Sequence, residues 1–191
     1  VRLVGSEMCI RDSIWTAGGE TSKDGAYFVA NMPTEEVFTL PKKDEVNGIV
    51  YSSKPFCYGG NLIENFYLKF ENGRVVEAGA EKGEEILIKL LDSDDGARYL
   101  GEVALVPYDS PISNSNTIFY NTLFDENASC HLALGQAYPV CLEGGSEMNE
   151  DELKKNGVNI SMVHEDFMVG TSDLELSLIH ISEPTRRTPI S

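Results

Sequence analysis

The stretch Met162 to Met168, MVHEDFM, sets a histidine and an aspartate two residues apart among apolar neighbours. If residues 159–169 form a strand, alternate side chains share a face, so Ile160, Met162, His164, Asp166 and Met168 point one way. An imidazole beside a carboxylate on one face can hold a divalent cation. A buried carboxylate without a partner is driven toward its neutral form, whereas a cation keeps it charged and also gives the histidine a partner. The same spacing describes a plain His–Asp hydrogen bond at a surface strand end, and two residues do not separate these readings.

Histidine is scarce here. Of the three in the chain, His180 falls in a C-terminal stretch set aside below, which leaves His131 and His164. His131 lies in FDENASCHLALGQAY, with Asp125 and Glu126 upstream and Tyr138 seven residues on. In a helix that spacing is two turns, which puts His131 and Tyr138 on one face; an acidic first turn and a core tyrosine explain the same pattern without chemistry. Two further stretches carry carboxylates beside apolar runs: Glu35-Glu36 in NMPTEEVFTLP and Glu102 in LGEVALVPY. Cys130 precedes His131 directly, but sequence neighbours seldom face each other, so it is expected to pack rather than act as a nucleophile. No GxSxG turn supports a serine hydrolase. On spacing alone, a metal site and an acidic interaction domain both stand.

The elements that would position these residues are mostly strands. GIVYSSKPF, NLIENFYLKF and RVVEAG, separated by Gly59-Gly60 and Asn72-Gly73, predict a β-meander over residues 48–79. Ile86, Leu87, Leu90 and Leu91 predict a helix over residues 81–91 with acids at its start. SDDGARYLGE predicts a further helical turn, EVALVPY a buried strand opening at Glu102, and TLFDENASCHLALG a helix closed by Gly135. VNISMVHEDFMVG alternates like a strand. The expected fold class is α+β, mostly antiparallel sheet with a few helices and no internal repeat.

The two ends are related at the level of codons. One nucleotide string can encode Arg2 to Ser13, and its reverse complement encodes Leu176 to Arg186. Residues 1–13 and, largely, 176–191 are therefore expected to be adapter-derived, with 14–175 a catalytic region truncated at both ends. The net charge of −16 disfavours phosphate backbones and anionic lipid, so no nucleic-acid or membrane partner is expected. No apolar run approaches the length of a membrane span. Cys57, Cys130 and Cys141 lack disulfide or zinc-knuckle spacing, which fits a reducing cytoplasm.

NMPTEEVFTLP, YLGEVALVPYDSPIS, FYNTLFDENASCHLALGQAYP and HEDFMVG, taken in order, resemble the M29 family of metallo-aminopeptidases. The resemblance runs from about residue 15 to 175. It implies a cytoplasmic, usually dimeric exopeptidase that removes N-terminal residues from peptides with two divalent ions, zinc, cobalt or magnesium. Carried over by motif, it implies metal ligands at Glu36, Glu102, Glu126, His131, His164 and Asp166. Glu36 and Glu102 become candidates for a bridging ligand or the general base, and Tyr138 the active-site tyrosine. Two departures stand out: Glu165 replaces an expected apolar residue, though alternation turns it from the ligand face, and Asn116 replaces an expected glycine. A non-catalytic acidic binding module on the same scaffold is the alternative.

Overall fold

The computed structural model describes residues 13–176 together with the backbone of Arg2–Leu3; the remainder of both expected adapter segments lies outside the described residues. In chain order the strands and α-helices are β1 (Arg2–Leu3), β2 (Thr16–Ala17), β3 (Gly19–Thr21), β4 (Tyr27–Val29), β5 (Val37–Thr39), β6 (Gly48–Tyr51), β7 (Phe56–Tyr58), β8 (Asn61–Glu71) and β9 (Arg74–Lys82). Then follow α1 (Glu84–Leu91), β10 (Leu100–Leu105), α2 (Pro111–Ser115), α3 (Thr122–Asp125), β11 (His131–Gly135), α4 (Glu150–Lys155) and β12 (His164–Met168). Every pairing among the described residues is antiparallel. The α+β class holds, and no helix among them is long and apolar enough to cross a membrane.

Two five-stranded sheets carry the fold, one ordered β1-β6-β8-β7 with β9 also on β8, the other β12-β11-β10-β5-β2; β3 and β4 form a separate hairpin. The predicted meander is present as β6 to β9, and its Asn72-Gly73 turn has φ of 48° and 77°. Val50, Phe66, Leu68 and Phe70 of the first sheet pack with Leu87, Leu90 and Leu91 of α1 and with Val103, Leu132, Leu134 and Phe167 of the second. Each leucine that α1 buries contributes about 1.5–3 kcal/mol, which fixes the helix over the sheets. A smaller, separate cluster joins Leu40, Ala137, Cys141, Leu142, Leu153 and Val158.

Four expectations need correction. The first helix begins at Glu84, because β9 stays paired through Lys82 opposite Glu64 and Gly83 then turns the chain at φ 79°. SDDGARYLGE holds turns instead of a helix: the Asp94 carboxylate accepts from the backbone N–H of Gly96 and Ala97. TLFDENASCHLALG is not one helix. α3 runs into a 3-10 turn at Glu126–Ala128, and His131–Gly135 is a central strand between β10 and β12, so His131 and Tyr138 do not share a helix face. Helical composition is overridden there because pairing on both edges puts Leu132 and Leu134 into the core. The last strand spans only His164–Met168; Ile160 and Met162 lie outside it, and Met162 is 85% exposed.

Candidate metal centre

Register places the chemistry on one face of the second sheet. Across β10, β11 and β12 the rung Val103–Leu132–Phe167 belongs to the core, so the next rung, Glu102–Ala133–Asp166, presents the opposite face. His131 and His164 lie two residues from Ala133 and Asp166 and share that face. Ala104 pairs with Phe38 on β5, which brings Glu36, two residues before Phe38, to the same side. Glu165 pairs with Leu134 and takes the other side, as alternation predicts.

Glu102 owes its orientation to a β-bulge. Leu100 pairs with Leu134 and packs in the core, yet Glu102 pairs with Ala133, so β10 uses an extra residue at Gly101. In a regular strand without the bulge, Leu100 and Glu102, two residues apart, would share a face. Gly101 also fills a position where a Cβ would sit 2.3 Å from the Gln136 carbonyl oxygen and 2.5 Å from that of Gly135.

On this face His131 Nε2 lies 2.9 Å from Glu36 Oε2, 3.5 Å from Glu102 Oε1 and 4.0 Å from Asp166 Oδ1. His164 Nε2 lies 3.6 Å from Glu102 Oε2 and 3.5 Å from Asp166 Oδ1. Two groups result, Glu36–Glu102–His131 and Glu102–His164–Asp166, each with ligand atoms within 4.8 Å of one another, and Glu102 is common to both. Metal–ligand bonds of ~2.0–2.2 Å at tetrahedral angles separate ligand atoms by ~3.4 Å, so these spacings are of the right order. Glu126 belongs to neither group, but it lies near enough to Asp166 and Glu36 for their charges to act on its carboxyl. Neighbouring Asp125 serves a local purpose, accepting from the backbone of Phe119 at 2.8 Å and Asn121 at 3.1 Å.

The histidines are oriented from behind. His131 Nδ1 lies 3.1 Å from the Ser129 carbonyl and His164 Nδ1 lies 2.7 Å from that of Gln136. A carbonyl can only accept, so each Nδ1 carries the proton, and in a neutral ring Nε2 then offers a lone pair to the cluster. Those lone pairs face carboxylate oxygens. Glu36 Oε2, His131 Nε2 and Asp166 Oδ1 are buried with no hydrogen-bond partner: the 2.9 Å approach brings two of them close without donor–acceptor alignment. Such orphaned atoms have a physical rationale when a cation lies between them.

Without a cation the protonation states are displaced. Burial, reinforced by Asp166 and Glu36, pushes the Glu126 carboxyl up to about 8, and burial raises Glu102 despite its contact with His131. Burial opposes charge on His131 and His164, but the carboxylates prevail and raise both, His164 to about 9. Asp166 is lowered against burial by the two histidines. Each shift follows from crowding carboxylates and imidazoles on one buried face.

Tyr138 reaches the cluster from the loop after β11, its ring 4.5 Å from that of His164 and 6.2 Å from Phe38. Burial and the nearby acids push its hydroxyl up to about 12, so it remains a donor at neutral pH. Cys130 is part-buried, its thiol bonded to the Val106 carbonyl at 3.3 Å, and Cys141 is buried with its thiol pushed up to about 11 by burial. Neither packs as a nucleophile. Asn116 adopts φ 50°, the left-handed geometry a glycine would take there.

Several supporting residues are absent from the sequence reading. Asp94 accepts from Ser161 Oγ and the Met162 N–H, which fixes the approach to His164. Asn127 spans the Glu36 and Glu126 segments, and Gly101 bends β10. Only Gly101 has a local signal, a glycine inside an apolar strand.

Comparison with known proteins adds an independent finding. The family described as thermophilic metalloprotease (M29) matches residues 8–187. Aminopeptidase AmpS of Bacillus subtilis (strain 168) is 58% identical over 180 residues, covering 94% of this chain and 43% of that protein. Aminopeptidase 2 of Geobacillus stearothermophilus is 55% identical over 177 residues, covering 93% and 42%. The solved structure of wild-type AmpT from Thermus thermophilus superposes with a TM-score of 0.80 at 46% identity, over 88% of this chain and 43% of that one. The chain thus spans less than half the length of these relatives.

Proposed function

The chain belongs to the thermophilic metalloprotease (M29) family, and from that premise we propose that it is the metal-binding portion of an aminopeptidase that removes N-terminal residues from peptides. The relatives it matches are named aminopeptidases. In this reading residues 14–175 are the catalytic region, flanked by adapter-derived ends. Glu36, Glu102 and His131 hold one divalent cation, and Glu102, His164 and Asp166 a second, with Glu126 beside Asp166. Mixed carboxylate and imidazole donors suit zinc or cobalt, and a carboxylate-rich set also admits magnesium.

The observation that carries this proposal is that both histidines hold Nδ1 against backbone carbonyls, to which Nδ1–H donates, and so turn Nε2 toward orphaned carboxylate oxygens. Bound divalent cations supply the Lewis acidity that makes water nucleophilic near neutral pH and polarises a peptide carbonyl. The chain's own groups do the rest. Of Glu36 and Glu102, one would act as bridging ligand and the other, through a free carboxylate oxygen, would take the proton of the attacking water. Tyr138, held against His164, donates a hydrogen bond to the developing oxyanion, a contribution of ~2.7–4 kcal/mol for one such donor. The acidic cluster attracts the α-ammonium of a peptide, which favours cleavage at its N-terminus. Free Cys57, Cys130 and Cys141 support a reducing, cytoplasmic setting. The family resemblance implies a homodimer for the full-length protein.

The test places this region in its full-length chain and follows release from aminoacyl p-nitroanilides. Chelation is expected to silence the enzyme and Co²⁺ or Zn²⁺ to restore it, and His164→Ala to abolish turnover. Metal-dependent turnover retained by His164→Ala would overturn the assignment. A chain that binds no divalent ion would instead favour the acidic binding module.

A further inference from the structure

Residues 31–36 make no strand pairing of their own, yet Glu36 at their end must meet side chains from two other segments. We propose that Asn127 is the positioning residue that clamps this arm against the Glu126 turn and thereby sets where Glu36 stands relative to His131 and Glu102. The inference rests on the metal reading above. Asn127 is 0% exposed. Its Oδ1 accepts from the Glu35 N–H at 2.7 Å, one peptide from Glu36. Its Nδ2 donates to the Leu123 carbonyl at 3.0 Å and the Pro33 carbonyl at 3.4 Å. From its far side, Ser110 Oγ donates to the Asn127 carbonyl at 3.0 Å while also capping α2.

One amide thus ties two points of the Glu36 arm to α3. It needs an acceptor and two donors at once, which a primary amide supplies and no smaller neutral side chain does. The consequence is selective. Glu36 belongs to only one of the two ligand groups, whereas Glu102, His164 and Asp166 are carried by paired strands that do not depend on Asn127. Loosening the clamp should therefore weaken one cation and spare the other. A general loss of stability would not do this.

The experiment is a Co²⁺ titration followed by absorption, with stoichiometry from metal analysis, on wild type, Asn127→Ala, Asn127→Asp and Ser110→Ala. The melting temperature of each variant is recorded alongside. Wild type is expected to take up two ions. Asn127→Ala should lose at least tenfold in affinity for one ion and less than twofold for the other. Asn127→Asp, which keeps the acceptor for the Glu35 N–H, should recover most of that loss. Ser110→Ala should lower the melting temperature with both affinities unchanged. If Asn127→Ala does not fold, Asn127→Ser replaces it with the same expectation. Unchanged affinities in the folded variant, or equal loss of both ions, overturn the clamp; wild type that takes up no ion overturns the metal reading and the inference with it.

Discussion

Replacing Gly101 by alanine should damage the proposed metal centre without touching a proposed ligand. The added Cβ would meet the Gln136 carbonyl oxygen at 2.3 Å, the Gly135 carbonyl oxygen at 2.5 Å and the Gln136 carbonyl carbon at 2.6 Å. All three are backbone atoms in a paired region, so relief requires roughly 1 Å of main-chain movement before ordinary contact is reached. The Gln136 carbonyl is the one that orients His164, at 2.7 Å, and Gly101 itself aims Glu102. One methyl group therefore displaces Glu102 and the support of His164, both proposed ligands. Overpacking of this kind costs about 1–3 kcal/mol, and disturbing a ligand's outer support lowers metal affinity about 10–100-fold. At ~2–4 °C per kcal/mol for a domain of this size, the melting temperature should fall by roughly 2–12 °C.

The assay pairs calorimetric Zn²⁺ titration with thermal unfolding, and uses Gly25→Ala as control. Gly25 has φ 87°, and a Cβ added there would meet nothing within 4 Å, so alanine carries backbone strain of ~1–2 kcal/mol alone. Gly25→Ala should lose some stability and keep its zinc affinity. If Gly101→Ala binds zinc as wild type does, the argument that the bulge aims the centre is wrong, whatever happens to its stability.

Two further predictions concern protons. The surrounding carboxylates push His164 up to about 9 and burial pushes Glu126 up to about 8, so at pH 7 these two groups hold protons that a binding cation would expel. Cation binding at pH 7 should release on the order of two protons, and affinity should rise with pH until about 9; calorimetry in two buffers of different ionisation enthalpy measures the release, and none would contradict these protonation states. Asp94 behaves oppositely. Hydrogen bonds from Met162, Ser161, Gly96 and Ala97 outweigh burial and hold its carboxyl below the usual range. A depressed folded-state value means stability that is present above the unfolded value near ~3.9 and lost as pH falls through the folded one. Asp94→Asn should cost about 1–2 kcal/mol at pH 7, solvent screening included, and its deficit against wild type should close in acid; a deficit independent of pH would refute the role.

Much of this was legible along the chain. Alternation in NLIENFYLKF and the Asn72-Gly73 turn predicts the long hairpin of β8 and β9, because period-two burial and positive φ are local properties. The spacing of His164 and Asp166 puts them on one face of a strand for the same reason. What local pattern could not decide is the state of His131–Gly135. HLALG suits a helix as well as a strand, and only pairing with β10 and β12 on both edges settles it. That pairing brings His131 across from Ala104 and Met168 and so within reach of acids 29 to 95 positions away in the sequence. The Gly101 bulge leaves only a glycine inside an apolar strand as its sign, and the proposed Asn127 clamp leaves none, since its partners are backbone groups that composition does not encode. Residue types thus determined that this chain carries groups able to hold cations; the register of four strands decided that they meet, because separation in space, unlike periodicity, depends on which strand lies beside which.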